Sequence, residues 1–576
     1  MDILNGINND RFTLHIKNRE YTEWEWLPSD INCDINPLEA KLFHGDSIDI
    51  NTKKTISSPL SEYTNICGIL ILNDGKTYGR HSSKTNKLLY KCIPDDKHLP
   101  CFLVPYEEKV NTFIKSKKNK YVTFSIREWK DKHPLAIIEN VYGNTDNTEA
   151  YMTYQMQLKC LNDRMNVLNA VALRVLRETN LDPLPLYCNN KQIEDRQDRH
   201  IFSIDPVGCN DIDDAIGIIN NLNGDRTIVI LSIYISNVPM ILEYLNIWNY
   251  LTDRVSSIYL TNKKYTMLPL GLSEHLCSLK ENETKVAYVL DVYIQNNRII
   301  DIKHKPVIIK VTKNYAYNSY ELGLNTDYKL IFDIIKNLNN EEQFGFKYID
   351  DIMNSHHVVE YCMILMNHQC GQLLKNKKRG IYRSASKKSI ESNGEDIYNY
   401  ENLSPTFQRV LQNVLGEYCS YEDHKPHELI GDGISYYTHI TSPIRRIVDC
   451  VNLLELQKDQ FEWSSNSNDF IVKWLKSIEF INKQTKSIRK LQNEVELLTQ
   501  YEKNNKQIYT GSVFSRESIV KNENIVFKYR VFIPSIKLLT TMKSDKYIED
   551  YSTVDFSIHL FLDESKMSQK ARLQIA

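Results

Sequence analysis

Four aspartates, Asp205, Asp211, Asp213 and Asp214, fall within ten positions of the stretch Ser203 to Gly217, SIDPVGCNDIDDAIG. Carboxylates this crowded raise one another's pKa, and those that must stay ionised together share a cation. Apolar Ile204, Ile212, Ala215 and Ile216 interleave with them, so the segment is expected to run into the core, where a carboxylate needs a partner. A solvated acidic turn, marked by Pro206 and Gly208, is the plain structural alternative. A calcium loop of the EF-hand kind is excluded: counted from Asp211, its glycine position holds Ile216 and its final glutamate position holds Leu222. Magnesium suits the set because it is hard, prefers carboxylate oxygens and completes its shell with substrate phosphate and water. Two metals on shared aspartates would activate a water and stabilise the leaving oxygen in phosphodiester hydrolysis.

Such chemistry also needs a group that holds the phosphate. Tyr436 to Arg446, YYTHITSPIRR, supplies adjacent arginines, Arg445 and Arg446, after a Ser-Pro turn, with Thr441 and Ser442 as hydroxyl donors. The planar guanidinium fork matches phosphate oxygens and charge developing in a transition state. Taken alone, an Arg-Arg pair is more often a surface feature. The basic runs Lys115 to Lys120 and Lys375 to Arg379 read equally well as solvated surface or as RNA contacts.

The elements that must position these residues occupy a chain of 576 residues, beyond what one hydrophobic core supports. Its 42% hydrophobic and 25% charged residues are those of a folded globular protein. A net charge of -2 argues against coating nucleic acid by bulk attraction and leaves room for a local basic channel. Twelve cysteines without a C-x-x-C pair predict reduced core residues rather than zinc ribbons or disulfides. No signal-like start and no long apolar run predict a cytoplasmic or nuclear-type compartment without membrane insertion.

The first 150 residues read as short strands with turn signals, as in Gly68 to Gly75 and Tyr121 to Ile126, a pattern of small barrels. Leu158, Leu161, Met165, Leu168, Ala172 and Val175 predict a helix over about 155 to 178. Pro183, Pro185 and Asn189-Asn190 punctuate a loop before the central region. From about 195 to 455 strand runs such as Arg226 to Ser236 alternate with helical ones such as Val358 to Leu374. The apolar stripe from Phe470 to Leu498 predicts a helical packing face, and the tail returns to strands.

Taken together, SIDPVGCNDIDDAIG and YTHITSPIRRIVD some 220 residues later closely resemble the paired signatures of the ribonuclease II (RNB) family of hydrolytic 3′→5′ exoribonucleases. Between them, Asp253 to Leu260, Met267-Leu-Pro and Cys277-Ser-Leu279 extend the likeness over residues 195 to 455. Tyr78-Gly-Arg80 and Phe102 to Tyr106 look similar to its eukaryotic-type members.

The resemblance implies a multidomain chain with a mixed α+β RNB catalytic domain flanked by small OB-fold β-barrels. The expected segments are a cold-shock-type barrel over 1–65, a second over 66–155, a helical linker over 156–194, the catalytic domain with its terminal helix over 195–505, and an RNA-binding OB barrel over 506–576. It also implies roles: Asp205, Asp211, Asp213 and Asp214 hold Mg2+, or Mn2+ in its place, with Asp213 most tied to catalysis and Arg445 engaging the phosphate. Tyr259 and Tyr317 match aromatics stacking near the terminal nucleotides, with Tyr315 the competing alignment for the second, and Glu360 matches a glutamate of the active-site wall. Arg446, Ser442 and Thr441 join the RNA contacts. The implied partner is single-stranded RNA, gripped without sequence readout by a monomer that releases 5′-mononucleotides.

The chain departs from the family pattern at three places. It reads Tyr234-Ile-Ser-Asn237 where a histidine and an acid are usual, Ile447 where a tyrosine follows TSPIRR, and Arg383-Ser-Ala-Ser-Lys387 in place of Arg-x-His-x-x-Pro. A catalytically inactive RNA-binding or RNA-protecting protein of the same architecture is the alternative.

Overall fold

The protein is described by a computed structural model. It describes residues 11–28, 33–49, 52–62, 65–81, 86–108, 117–161, 165–178, 193–223, 226–261, 263–342, 344, 347–349, 351–385, 407–408, 416–428, 430, 434–521, 524–563 and 568–576. Lys115, the loop with Pro183, Pro185 and Asn189-Asn190, and Ser386-Lys387 lie outside the described residues. Two compact units emerge, one of 1–162, 493–509 and 555–576, the other of 163–492 and 510–554.

In the first unit, the alternation of Arg11–Ile16 buries Phe12, Leu14 and Ile16 on one face of a four-stranded sheet with Trp24–Leu27, Ser47–Asp49 and Thr55–Ser57. Ile66–Leu70, Leu89–Pro94, Phe102–Pro105, Leu135–Asn144 and Lys120–Glu128 then close into a five-stranded barrel around Leu70, Cys92, Phe102, Val122 and Phe124. Gly68 permits that closure, since a Cβ there would stand 2.7 Å from the Ile93 carbonyl. Asn147 caps the helix Thr148–Leu158 by accepting from the Ala150 N–H, and Tyr151 and Tyr154 pack on Ile69, Tyr121 and Leu498.

The continuous helix expected over 155 to 178 is two helices. Cys160 adopts φ +53 and the Leu161 N–H reaches back to Met156 O (2.8 Å), a left-handed cap that ends Thr148–Leu158. Met165–Glu178 is a separate helix of the second unit. The apolar stripe from Phe470 likewise divides, into Ser465–Lys476 and Ile478–Lys503.

The second unit is built on a seven-stranded sheet in the order Glu194–Arg196, Arg298–Lys310, Thr284–Gln295, Arg226–Ser236, Asp214–Asn223, Ile201–Asp205, Lys313–Ala316. The two outermost pairings are parallel and the rest antiparallel. Period-2 alternation sorts Leu231, Ile233 and Ile235 onto a face covered by the helix Ser355–Asn376, while Tyr234 packs on the other face with Ile201, Ile212 and Val289. The helix Ile447–Gln457 is buried on every side, which fixes the loop preceding it. Strands Asn524–Ile533 and Leu538–Ser544 pair antiparallel, the former also with Ile508–Lys521. Among the described residues no helix is long and apolar enough to cross a membrane.

Candidate active site

Asp205 ends the strand Ile201–Asp205 and Asp214 begins its antiparallel neighbour, so the acids sit at the ends of two inner strands and on the turn joining them. Gly208 makes that turn possible at φ +81, where a side chain would be strained. The loop is then held rigidly: Ser278 Oγ donates to Asn210 O (2.8 Å) and accepts from Ile212 N (3.0 Å), and Ser236 N donates to Asp213 O (2.8 Å).

The four carboxylates differ in their surroundings. Asp213 is 2% exposed; its Oδ1 accepts from the Ile444 N–H and its Oδ2 from Arg445 Nε, both at 2.9 Å. The two sequence signatures, some 220 residues apart, are thus joined at one carboxylate. Asp211 receives Lys264 Nζ at 2.7 Å and the Tyr259 hydroxyl at 2.9 Å. Asp205 accepts from Ser203 Oγ at 2.7 Å, and Asp214 feels the charge of Arg445.

Burial dominates the protonation of Asp205, Asp213 and Asp214. It pushes Asp213 up to about 7 against the opposing pull of Arg445 and the Ile444 N–H, and Asp205 up to about 6, with Asp211 adding repulsion and Ser203 and Arg445 opposing. Asp214 is raised well above the carboxylate range by burial and by repulsion from Asp205 and Asp213. Arg445 is the guanidinium that all three feel. Its side chain stays 46% exposed, with Nη2 steadied by Ser442 Oγ at 3.1 Å.

This donor set fits a divalent cation: three oxygen-donor acids face one guanidinium, and their repulsion is what a hard cation relieves. Among the described residues no three His, Cys, Asp or Glu side chains gather as a ready ligand cluster. That is compatible with magnesium, which is held by one or two carboxylates and otherwise by phosphate and water.

Tyr259 stands 42% exposed beside Asp211, with Lys264 Nζ 5.7 Å from its ring centre. Tyr317 stacks on His356 with ring centres 3.8 Å apart, donates its N–H to Asp205 O (3.1 Å) and feels Asp214 and Asp205. Tyr315 instead packs edge-on against Phe202 and accepts from Asn325, so Tyr317 is the tyrosine brought to the acids. Glu360 lies on the helix Ser355–Asn376 and its charge acts on Tyr437. Thr441 and Ser442 are buried in the loop, and the Ser442 N–H donates to Asp449 (2.8 Å). Arg446 also pairs with Asp449 (2.7 Å) and turns away from Asp213.

Sequence reasoning missed Lys264 and the structural role of Asp449. Asp449 had a signal, standing three residues after Arg446 on a helix start. Lys264 had none, because a hairpin, Ile258–Leu260 with Lys263–Tyr265, carries it to Asp211.

Residues 193–340, within the second unit, match the RNB domain family model. The chain is similar to Ribonuclease R of Helicobacter pylori strain J99, 25% identical over 306 residues, which are 43% of this chain and 46% of the relative. It thus spans about half the length of the curated relative it matches. Its fold superposes on Mycoplasma genitalium RNase R in complex with ribose-methylated single-stranded RNA, with TM-score 0.64, 16% identity and coverage of 98% of this chain and 100% of that one. It also superposes on yeast Ssd1, a pseudonuclease, with TM-score 0.54, 13% identity and coverage of 95% and 80%. These two likenesses show the fold.

Proposed function

We infer that the chain is a divalent-metal-dependent hydrolytic exoribonuclease that shortens single-stranded RNA processively from its 3′ end and releases 5′-mononucleotides. The observation that carries this is the double contact of Asp213 with Ile444 N–H and Arg445 Nε, which sets a phosphate-binding guanidinium against crowded buried acids. Asp205 and Asp214 would hold the metal, Mg2+ or Mn2+, with Asp213 at its flank; when bound, it supplies an activated water and charge neutralisation for phosphodiester hydrolysis. Arg445 holds the scissile phosphate and neutralises charge building on its oxygens. Tyr259 and Tyr317 offer faces on which bases stack irrespective of sequence. The similar Ribonuclease R and the RNA-bound fold neighbour support an RNA substrate.

The Ssd1 likeness means that fold alone cannot decide between nuclease and RNA binder. The residues favour the nuclease, since a binder gains nothing from buried acids set opposite RNA phosphates. The test is 5′-labelled single-stranded RNA with magnesium on a denaturing gel. Stepwise shortening is expected for the wild type, lost with chelator and in Asp213→Asn while RNA binding persists. Tight binding without shortening would establish the inactive binder instead.

A further inference from the structure

A second charged cluster, of opposite sign, lies within the same unit as the acids. Arg446 has extended backbone, φ -136 and ψ 128, and bridges to Ser256, flanked by hydrogen bonds from Ser257 N to Arg445 O and from Ile447 N to Val255 O, both 2.9 Å. Successive side chains on such backbone leave on opposite sides. Arg445 therefore turns to Asp213, while Arg446 places Nη1 3.5 Å from His439 Nδ1 and Nη2 2.7 Å from Asp449.

Around His439 the bases accumulate. The Tyr418 hydroxyl and His439 Nδ1 share a hydrogen bond (2.8 Å), and the Arg383 guanidinium lies 4.8 Å from the Tyr418 ring centre. His427 is 3% exposed, with its ring 5.2 Å from that of Tyr437, which is 6.0 Å from that of His439. Arg489 comes from the helix Ile478–Lys503, its guanidinium pushed down to about 10 by burial and by Arg383. Burial and then Arg383 push His427 down to about 3. The acids beside them are engaged: Asp449 pairs with Arg446, and Glu417 with Lys486.

Two further observations mark a site rather than a buried accident. Among the described residues, Nδ1 of His427 and Nε of Arg446 are buried without any hydrogen-bond partner, which is costly unless a ligand supplies one. Gly416 is what lets Arg383 lie where it does, because a Cβ there would stand 2.4 Å from its Nε and 2.5 Å from its Nη2. Arg446 is a part-exposed member of the cluster, its side chain 30% exposed, while Arg383 and His427 are 4% and 3% exposed.

We propose that Arg383, Arg446 and Arg489, with His427, form a second phosphate subsite that grips one internal phosphodiester of single-stranded RNA, separate from the scissile phosphate at Arg445. The guanidinium forks match phosphate oxygens, and the neutral His427 ring donates from Nδ1 in one tautomer. The proposal rests on the reading of the chain as an RNA-binding nuclease.

The test scans one neutral methylphosphonate linkage along a single-stranded RNA and measures affinity for the Asp213→Asn protein, alone and combined with Arg383→Gln or Gly416→Ala. In the parent, neutralising one internal linkage lowers affinity about tenfold. In both combined variants that position ceases to matter, the scissile linkage still matters, and the slope of log affinity against log salt shrinks by about 0.7. Gly416→Ala displaces only the flexible end of Arg383, so it decides the matter if Arg383→Gln does not fold. An internal penalty that persists undiminished, or a scan flat at every internal position, overturns the proposal. A flat scan together with stabilisation of the parent, but not of Gly416→Ala, by inorganic phosphate would assign the pocket to free anions and equally overturn it. Failure of the parent to bind RNA at all, scissile linkage included, would instead sink the nuclease reading itself.

Discussion

Arg445 and Arg446 are neighbours in sequence and serve pockets of opposite charge. On one side Asp205, Asp213 and Asp214 crowd against a single guanidinium, and burial raises their pKa values. On the other, Arg383, Arg446 and Arg489 crowd around two histidines, and burial depresses Arg383, Arg489 and His427. A third buried charge site in the same unit behaves differently. Arg196 and Asp291, each with 3% side-chain exposure, meet in a two-pronged pair at 2.8 and 2.6 Å, with Ser232 completing the carboxylate's bonds at 2.6 Å. Burying like charges is unfavourable until an opposite charge arrives, whereas Arg196 is matched by acids of its own, Asp291 and, 2.8 Å from its Nε, Glu194. Imbalance therefore distinguishes a binding pocket from a structural ion pair.

The largest expected effect tests the acidic side. Asp213→Asn should lower RNA hydrolysis at least about a thousandfold, and Arg445→Lys about a hundred- to a thousandfold, the latter in kcat more than in KM. Steady-state kinetics check both, and equal loss of affinity and turnover in Arg445→Lys would remove its transition-state role. The matched pair should respond in stability instead. Asp291→Ala leaves Arg196 with Glu194, 2.8 Å from its Nε, as its remaining acid and should cost about 3 kcal/mol in denaturant unfolding, with turnover per folded molecule preserved.

A smaller effect concerns pH. The folded values of about 6 for Asp205 and about 7 for Asp213 lie above the ordinary 3.8, so each acid favours folding while protonated. That contribution is complete below the unfolded value and is lost as pH rises through the folded one. Without divalent metal, the melting temperature should fall between pH 5 and pH 8, and magnesium should restore it at pH 8 more than at pH 5, as differential scanning fluorimetry would read. Asp214→Asn should flatten both trends. A metal response of equal size at the two pH values would break the link between carboxylate crowding and cation binding. The smallest effect is the change of about 0.7 in salt slope expected of Gly416→Ala.

The acidic pocket was largely legible in sequence because its members are local: four aspartates within one strand-turn-strand, and Arg445 within one loop. Tyr317 and Tyr315 could not be told apart by spacing, since only their packing, on His356 or on Phe202, separates them. The basic pocket was nearly invisible. Its members come from a short strand at Arg383, a bridge at His427, the TSPIRR loop and a long helix at Arg489, so no window of sequence contains them. Arg383-Ser-Ala-Ser looked like a mere departure from a motif, yet Ala385 bridges to His427 and so brings an imidazole beside Arg383. The strand content of the chain's first 150 residues was readable from alternation and turns. The return of residues 493–509 and 555–576 to the first unit was not, because it depends on which finished surfaces meet.

The most direct measurement is manganese anomalous scattering from crystals of the Asp213→Asn protein grown with single-stranded RNA. The account predicts a manganese peak between Asp205 and Asp214, with an RNA phosphate at Arg445. RNA seated at Arg445 with no metal at Asp205 and Asp214, at manganese concentrations that support hydrolysis by the wild type, would contradict it.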